Sequence, residues 1–560
     1  MKQEKSLILK RTLFGGGEKA VALDAAFSVI MSLITVFNKN AVDDHLFLDR
    51  FIVRRYIVLF FVYTAMFYAA VRIIEFLVNN EKSKATASSS VEINRLKQAV
   101  MMFLAWVPYL IIFLPGVANY DTVNQVNDFF DGVAPVPFGF IEGQETVNVF
   151  LNAHHPIVPT FIFSFFIGIG RFFGSATAGF LLYILCQMAL GAILISGILD
   201  DLYNNAETNN GRYLIKAVRV FFMFMPFIPM YMICMLKNTM HSLLFILFIY
   251  SLYRYFAAMD SKPAKSWILF LLILLMLCVT LNTGVYVVLF TGIATLFIKD
   301  RNRYKIILVS MISMVVWFVI FPKVVYPALN VYPGGKQELY GTIFHQTARL
   351  VRDNEEEFTE EDKKIIDAVL DYEKIKENFS FEATDPVKDT FKLSASDRDI
   401  SEYLKLWFRM GLRHPIVYLR ATFSICGNFF SPGAGIQVFG DIPMAAGVFG
   451  EIHHILPRVL GDRLISLYYK ISLLPVIRLL FSQVLYSFWI PVYLFYYMVI
   501  REKVLNKNGR KRPELIILVP LFVSVLFLVV SPMNYSRYAL CLIFASPIIL
   551  AMAGVKNKRS

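Results

Sequence analysis

The sequence predicts an all-α polytopic membrane protein with about 12 transmembrane helices, and three observations carry that expectation. Hydrophobic residues make up 57% of the 560-residue chain and charged residues only 17%, whereas soluble domains sit near a quarter charged. The mean hydropathy is +0.56. Apolar residues gather in runs of about 20, the length a helix needs to cross a bilayer core of ~30 Å.

The runs fall at roughly 20–37, 55–77, 98–115, 177–198, 213–233, 240–257, 266–281, 284–298, 305–323, 480–500, 513–531 and 535–553. The stretch 266–298 is too long for one crossing and divides at Asn282-Thr283-Gly284, which suits a tight turn between two short spans. The run 157–173 is ambiguous, and loop charge decides it. If the basic N-terminus is cytoplasmic and 157–173 does not cross, the basic segments Glu81–Lys97, Tyr253–Lys265, Lys299–Lys305, Arg501–Arg512 and Lys556–Arg559 all fall inside. Retention of short Lys/Arg-rich loops on the cytoplasmic side favours that parity. Residues 157–173 then form a helix lying in the outer interface, with Arg171 snorkelling to water.

This parity divides the chain into three parts. An N-terminal membrane module, 1–323, carries the external loop 116–156 and the interfacial helix 157–173. A mostly helical external domain follows over 324–479, and membrane helices occupy 480–560. The external domain holds 21 of the 42 acidic residues. Two helix starts are written into it: Thr359-Glu360-Glu361-Asp362 and Ser396-Asp397-Arg398-Asp399 have capping-box spacing. Pro415 should end the second of these helices. Both termini are expected to be cytoplasmic.

The net charge of +13 could be mistaken for a nucleic-acid signature. The basic residues cluster between apolar runs, however, so topology accounts for them and no nucleic-acid partner is expected. The five cysteines (Cys186, Cys234, Cys278, Cys426, Cys541) show neither disulfide nor zinc spacing. Met1–Phe14 lacks a cleavable signal pattern, so the first span is expected to be retained. Ionisable residues are scarce within the spans. Asp24, Arg72, Glu75, Lys216 and Arg219 fall near span ends, where snorkelling would accommodate them, and that scarcity disfavours an ion-coupled transporter.

Polar residues concentrate at the outer ends of the spans. Loop 116–156 opens with GVANYDTVNQ, which contains Asp121 and Gln125. It passes Asp128, Asp131, Glu142 and Glu145 and closes with Asn152-Ala153-His154-His155-Pro156. A carboxylate above the membrane, followed by a histidine pair leading into an interfacial helix, suits a mouth for a lipid-embedded substrate; the alternative is that Asp121 caps a helix and the histidines are ordinary interfacial polar residues. Two adjacent histidines without a third ligand do not specify a metal site, so none is assigned and any need for a divalent metal is left open.

The loop, the interfacial helix and the motif order resemble GT-C membrane glycosyltransferases, the class of the protein O-mannosyltransferases. More closely, the chain resembles a poorly characterised bacterial multi-pass family of that type. The matching pieces are YDTVNQ, NAHHPIVPTFIFSFFIGIG, MLKNTMHSLLF, LNTGVYVVL, IFHQTARLVRDNEEEFTEEDKKIID, TDPVKDTF and SPMNYSRYAL, from about Pro115 to Leu540. The resemblance implies transfer of a sugar from a polyprenyl-phosphate donor to an envelope glycan, lipid or protein at the outer face. It implies Asp121 as general base, with Lys237, Arg349 and Arg537 as cations for the departing phosphate. Gln125, Glu145, His154, His155 and Asn238 would bind donor or acceptor. Three departures bear on donor choice and activity. Asn238 stands where an aspartate is expected, Leu281 or its neighbour replaces an arginine, and Thr122 takes the place of a second acid that Glu142 or Glu145 would have to supply. The rival readings are a flippase or exporter of lipid-linked glycans and a non-catalytic envelope assembly protein.

Overall fold

The computed structural model describes residues 17–42, 53–79, 94–134, 149–206, 208–256, 264–443, 447–505, 513–553 and 555. The fold is helical, and its two paired sheets among the described residues are two-stranded and parallel. Six described helices are long and apolar enough to cross a membrane: Glu18–Lys39, Tyr56–Phe76, Arg95–Ile112, Ala176–Asn205, Arg303–Ala328 and Ser536–Ala553. Ile157–Phe172, Ser266–Thr280, Asn282–Thr295 and Glu514–Val529 are shorter apolar helices.

Several run boundaries shift for local reasons. The run 213–233 is not one helix. It ends at Phe224 and restarts at Phe227, because Pro226 offers no backbone N–H to continue the ladder. The run 266–298 does divide, with Ala264–Thr280 ending just before Asn282–Thr295 begins. The helix from Arg303 continues into wider π-type winding over Val316–Val325, which contains Pro322. Ile157–Phe172 is a 16-residue helix packed between the Tyr120–Asp131 helix and Ala176–Asn205.

Both capping boxes form. Thr359 and Asp362 bond reciprocally at the start of Glu360–Asp367, and Ser396 and Asp399 do so at the start of Asp397–Arg413. Pro415 opens a new helix, Pro415–Phe430. A core separate from that of the membrane module, built on Phe344, Ile366, Tyr403 and Met410, covers residues 344–418. Cys426, Phe429, Phe430, Ile436 and Tyr468 belong instead to the main core. Asn38 in the first long helix donates to the Phe430 carbonyl at 3.0 Å. The 344–418 core is thus joined to the main core through Pro415–Phe430.

The snorkelling expected of Asp24, Arg72 and Glu75 does not occur. All three are buried and form one network with Arg501. Arg72 Nη1 meets Asp24 Oδ2 at 2.7 Å and Arg501 Nε meets Asp24 Oδ1 at 2.9 Å, while both arginines also pair with Glu75. Two arginines against two carboxylates leave no net charge, so the cluster can lie inside the bundle. Arg219 likewise pairs with buried Asp200.

Candidate functional site

A two-residue parallel ladder brings distant segments together. β1 (Val117–Ala118) pairs with β3 (Cys234–Met235) in the register Val117 to Cys234 and Ala118 to Met235. Gly116 makes the approach possible. Its φ is +134°, and a Cβ there would lie 2.7 Å from Ile184 Cγ1 and 3.0 Å from the Ile233 carbonyl, so a larger residue is excluded. Gln187, buried in Ala176–Asn205, donates to the Met232 and Cys234 carbonyls at 2.8 and 2.9 Å and accepts from Tyr183 Oη at 2.8 Å. Each strand then feeds a helix. Asn119 caps Tyr120–Asp131 by accepting from Thr122 N, and Lys237 is the first residue of Lys237–Phe256. Asp121 and Lys237 therefore sit at adjacent helix N-termini, where backbone dipoles favour negative charge.

Asp121 faces two cations. Its Oδ2 lies 3.3 Å from Lys237 Nζ and 3.5 Å from Arg537 Nη2. Arg537 comes from the SPMNYSR segment, and its guanidinium lies over the Tyr535 and Tyr538 rings at 4.9 and 5.1 Å. Burial alone would raise the Asp121 pKa. Lys237 and Arg537 outweigh it and hold the carboxyl well below the usual carboxylate range. Lys237 also contacts His155 Nδ1 at 2.8 Å. Burial, with Lys237 next, keeps the His155 imidazole neutral far below the ordinary histidine range.

The histidines join this centre to the 331–418 segment. β2 (Leu151–Asn152) pairs in parallel with β4 (Val331–Tyr332), and Ala153 N donates to the Tyr332 carbonyl at 2.8 Å. The chain leaving β4 brings Glu338 to His154, with Nδ1 and Oε1 3.2 Å apart. Glu338 also pairs with Lys388 at 3.0 Å, and Lys388 with Asp385 at 2.8 Å. Burial raises the Glu338 pKa, but His154 and Lys388 prevail and bring it to about 2. The same segment also bonds the Arg537 segment directly: Thr384 N donates to the Pro532 carbonyl at 2.9 Å, beside an Ala383–Met533 bridge.

Five of the motif pieces thus meet, and Asp121, His154, His155, Lys237 and Arg537 come together. Gln125 and Asn238 hold the frame. Gln125 donates to Thr160 Oγ1 at 3.0 Å, fastening the Asp121 helix to the helix after the histidines. Asn238 Nδ2 donates to the Arg537 carbonyl at 3.1 Å. An aspartate there would set a carboxylate against that carbonyl, so the asparagine fits this geometry. Thr122 is buried and donates to the Met235 carbonyl at 2.8 Å, a bond that a carboxylate at this position could not make. Arg349 lies apart, within the 344–418 core region, paired with Asp353 and over Phe379 and Phe381 at 5.4 and 5.2 Å. Glu145 and Glu142 fall outside the described residues. Lys237 stands between Asp121 and His155, where a divalent ion would need to sit, and no cluster of three metal-ligating side chains occurs among the described residues. Glu338, Lys388 and Asp385 were missed in the sequence reading, although Lys388 and Asp385 lie inside the quoted TDPVKDTF piece.

Residues 16–560 match one family model, described as a family of unknown function, DUF6020. The chain belongs to that family. No curated protein and no solved structure matches it.

Proposed function

We propose that this DUF6020 protein is a GT-C-type membrane glycosyltransferase of about 12 spans that takes a sugar from a polyprenyl-phosphate donor at the outer face of the bacterial plasma membrane. The acceptor would be an envelope glycan, lipid or protein, and both termini would be cytoplasmic. One observation carries the reading: Lys237 and Arg537, from distant segments, converge on Asp121 at two helix N-termini. That is the equipment of a phosphate site, with an arginine for bidentate contact and a lysine as point charge.

Asp121 serves as the resting counter-ion. An arriving phosphodiester takes the place of the carboxylate between the cations. As the bond from sugar to phosphate breaks, charge grows on the leaving phosphate and both cations hold it more tightly than in the ground state. Removal of the acceptor's proton is a separate task, because a carboxylate with two cations upon it is a poor base.

The test is comparative mass spectrometry of envelope glycans from cells with and without the gene. Loss of one sugar decoration, restored by the wild-type gene and not by Arg537→Ala, is the expected result. Identical glycan profiles with and without the gene would overturn the reading.

A further inference from the structure

Arg349 and Arg352 belong to the IFHQTARLVRD stretch, which the donor site leaves unused. In the helix Gly341–Asp353, His345, Arg349 and Arg352 stand at i, i+4 and i+7, so they share one face. That face meets Phe379 and Phe381. The Arg352 guanidinium lies over the two rings at 4.4 and 5.0 Å, and that of Arg349 at 5.4 and 5.2 Å. His345 stacks on Phe379 with centroids 4.5 Å apart, and the two phenyl rings meet edge to face at 5.2 Å.

One carboxylate serves both arginines. Asp353 takes Arg349 Nε on one oxygen and Arg352 Nε on the other, the latter at 2.9 Å. Two guanidinium charges against one carboxylate leave one positive charge in excess. Glu355, the next acid along the chain, is engaged by Lys376. Because Asp353 holds each arginine by Nε, the Nη groups of both meet no hydrogen-bond acceptor among the described residues. Arg349 is only 6% exposed, so its guanidinium is held in a fixed direction with little water around it. Phe381 is 44% exposed and presents an apolar ring beside these donors.

We propose that Arg349, Arg352 and Phe381 bind an oxyanion-bearing glycan. A carboxylate or phosphate group of the glycan bridges the Nη groups, and the C–H face of its sugar ring packs on Phe381. The residues set the class. Two guanidinium forks select an oxyanion over an ammonium or a neutral hydroxyl, and the exposed phenyl beside them suits a sugar ring rather than a free inorganic anion. The patch is continuous with the donor centre. Phe381 lies two residues before Ala383, Ala383 bridges to Met533, and Thr384 N donates to the Pro532 carbonyl, so the chain from Phe381 runs onto the segment that carries Arg537. The bound glycan is then the sugar acceptor, an assignment that rests on the glycosyl-transfer reading.

The probes are oligogalacturonate, a phosphomannan oligosaccharide and a neutral dextran of similar length, titrated against full-length protein in nanodiscs of zwitterionic lipid. Wild type should bind one or both anionic glycans and leave dextran unbound, and a preference between the two identifies carboxylate or phosphate as the oxyanion. Arg352→Gln and Phe381→Ala, both at positions open to solvent, should keep the wild-type unfolding temperature. Each should weaken anionic-glycan binding, Arg352→Gln by about 10-fold or more, and neither should change binding of a polyprenyl-phosphate sugar. Arg352→Lys, which keeps the charge and loses the fork, should fall between wild type and Arg352→Gln. No binding of either anionic glycan, equal binding of dextran, or full affinity in either of the first two variants overturns the proposal. A wild type that binds an anionic glycan and no polyprenyl-phosphate sugar overturns the glycosyl-transfer reading instead, so the two failures are distinct.

Discussion

Lys237 Nζ stands between His155 Nδ1 at 2.8 Å and Asp121 Oδ2 at 3.3 Å, which ties the histidine motif to the aspartate motif through one ammonium group. Removing that ammonium strips both partners at once. Lys237→Met should weaken binding of a polyprenyl-phosphate sugar by about 10-fold or more, since a charged hydrogen bond is worth roughly 1.5–3 kcal/mol. Equilibrium binding in nanodiscs measures it.

Asp121→Asn should separate binding from turnover. On the proposed reading the carboxylate competes with phosphate for Lys237 and Arg537, so its loss should tighten binding of polyprenyl phosphate. Transfer should fall nonetheless, because the product leaves more slowly. A binding isotherm alongside a transfer assay checks both, and weaker binding of polyprenyl phosphate to the variant contradicts the counter-ion role.

Asn238→Asp restores the residue the family resemblance expects, yet here it should destabilise. The Asn238 amide donates to the Arg537 carbonyl, and a carboxylate cannot. The loss should be about 1–3 kcal/mol, seen as a lower thermal unfolding midpoint in detergent and reduced donor binding.

Much of this was legible in advance, and the illegible part has physical causes. The capping boxes at Thr359 and Ser396 were readable because such signals act within one helical turn. The division near Asn282 was readable from length alone. Asp24, Arg72 and Glu75 misled because their partner Arg501 is far off in sequence, and residues at span ends look alike whether paired or snorkelling. Arg349 and Arg537 both sat in matching pieces, and only the tertiary arrangement separates the one over Phe379 from the one beside Asp121. Glu338 lay in no quoted motif, and only the β2–β4 pairing reveals it.

The buried network supplies a stability prediction. Arg501→Met leaves Asp24 and Glu75 short of one cation in a buried site. Breaking such a network by removing one partner costs about 3–5 kcal/mol, so the variant should unfold at a markedly lower temperature. The proposed donor site around Asp121 should keep its affinity in the protein that remains folded.

Asp389 gives a pH dependence. Burial raises its pKa first, Asp385 and Glu338 add to this against Lys388 and His154, and the value reaches about 6. A folded-state pKa above the unfolded value of ~3.9 means its contribution is fully present below the unfolded value and is lost as pH rises through about 6. Asp389→Asn should therefore match wild type in thermal unfolding near pH 4 and exceed it at pH 7.5.

The most direct measurement of the central claim is donor binding to the purified protein in nanodiscs, comparing wild type with Arg537→Ala and Lys237→Met. The account predicts that a polyprenyl-phosphate sugar binds wild type, that each variant binds about 10-fold or more weakly, and that polyprenyl phosphate competes. Equal binding by all three proteins, or no binding of any polyprenyl-phosphate sugar to wild type, would contradict it.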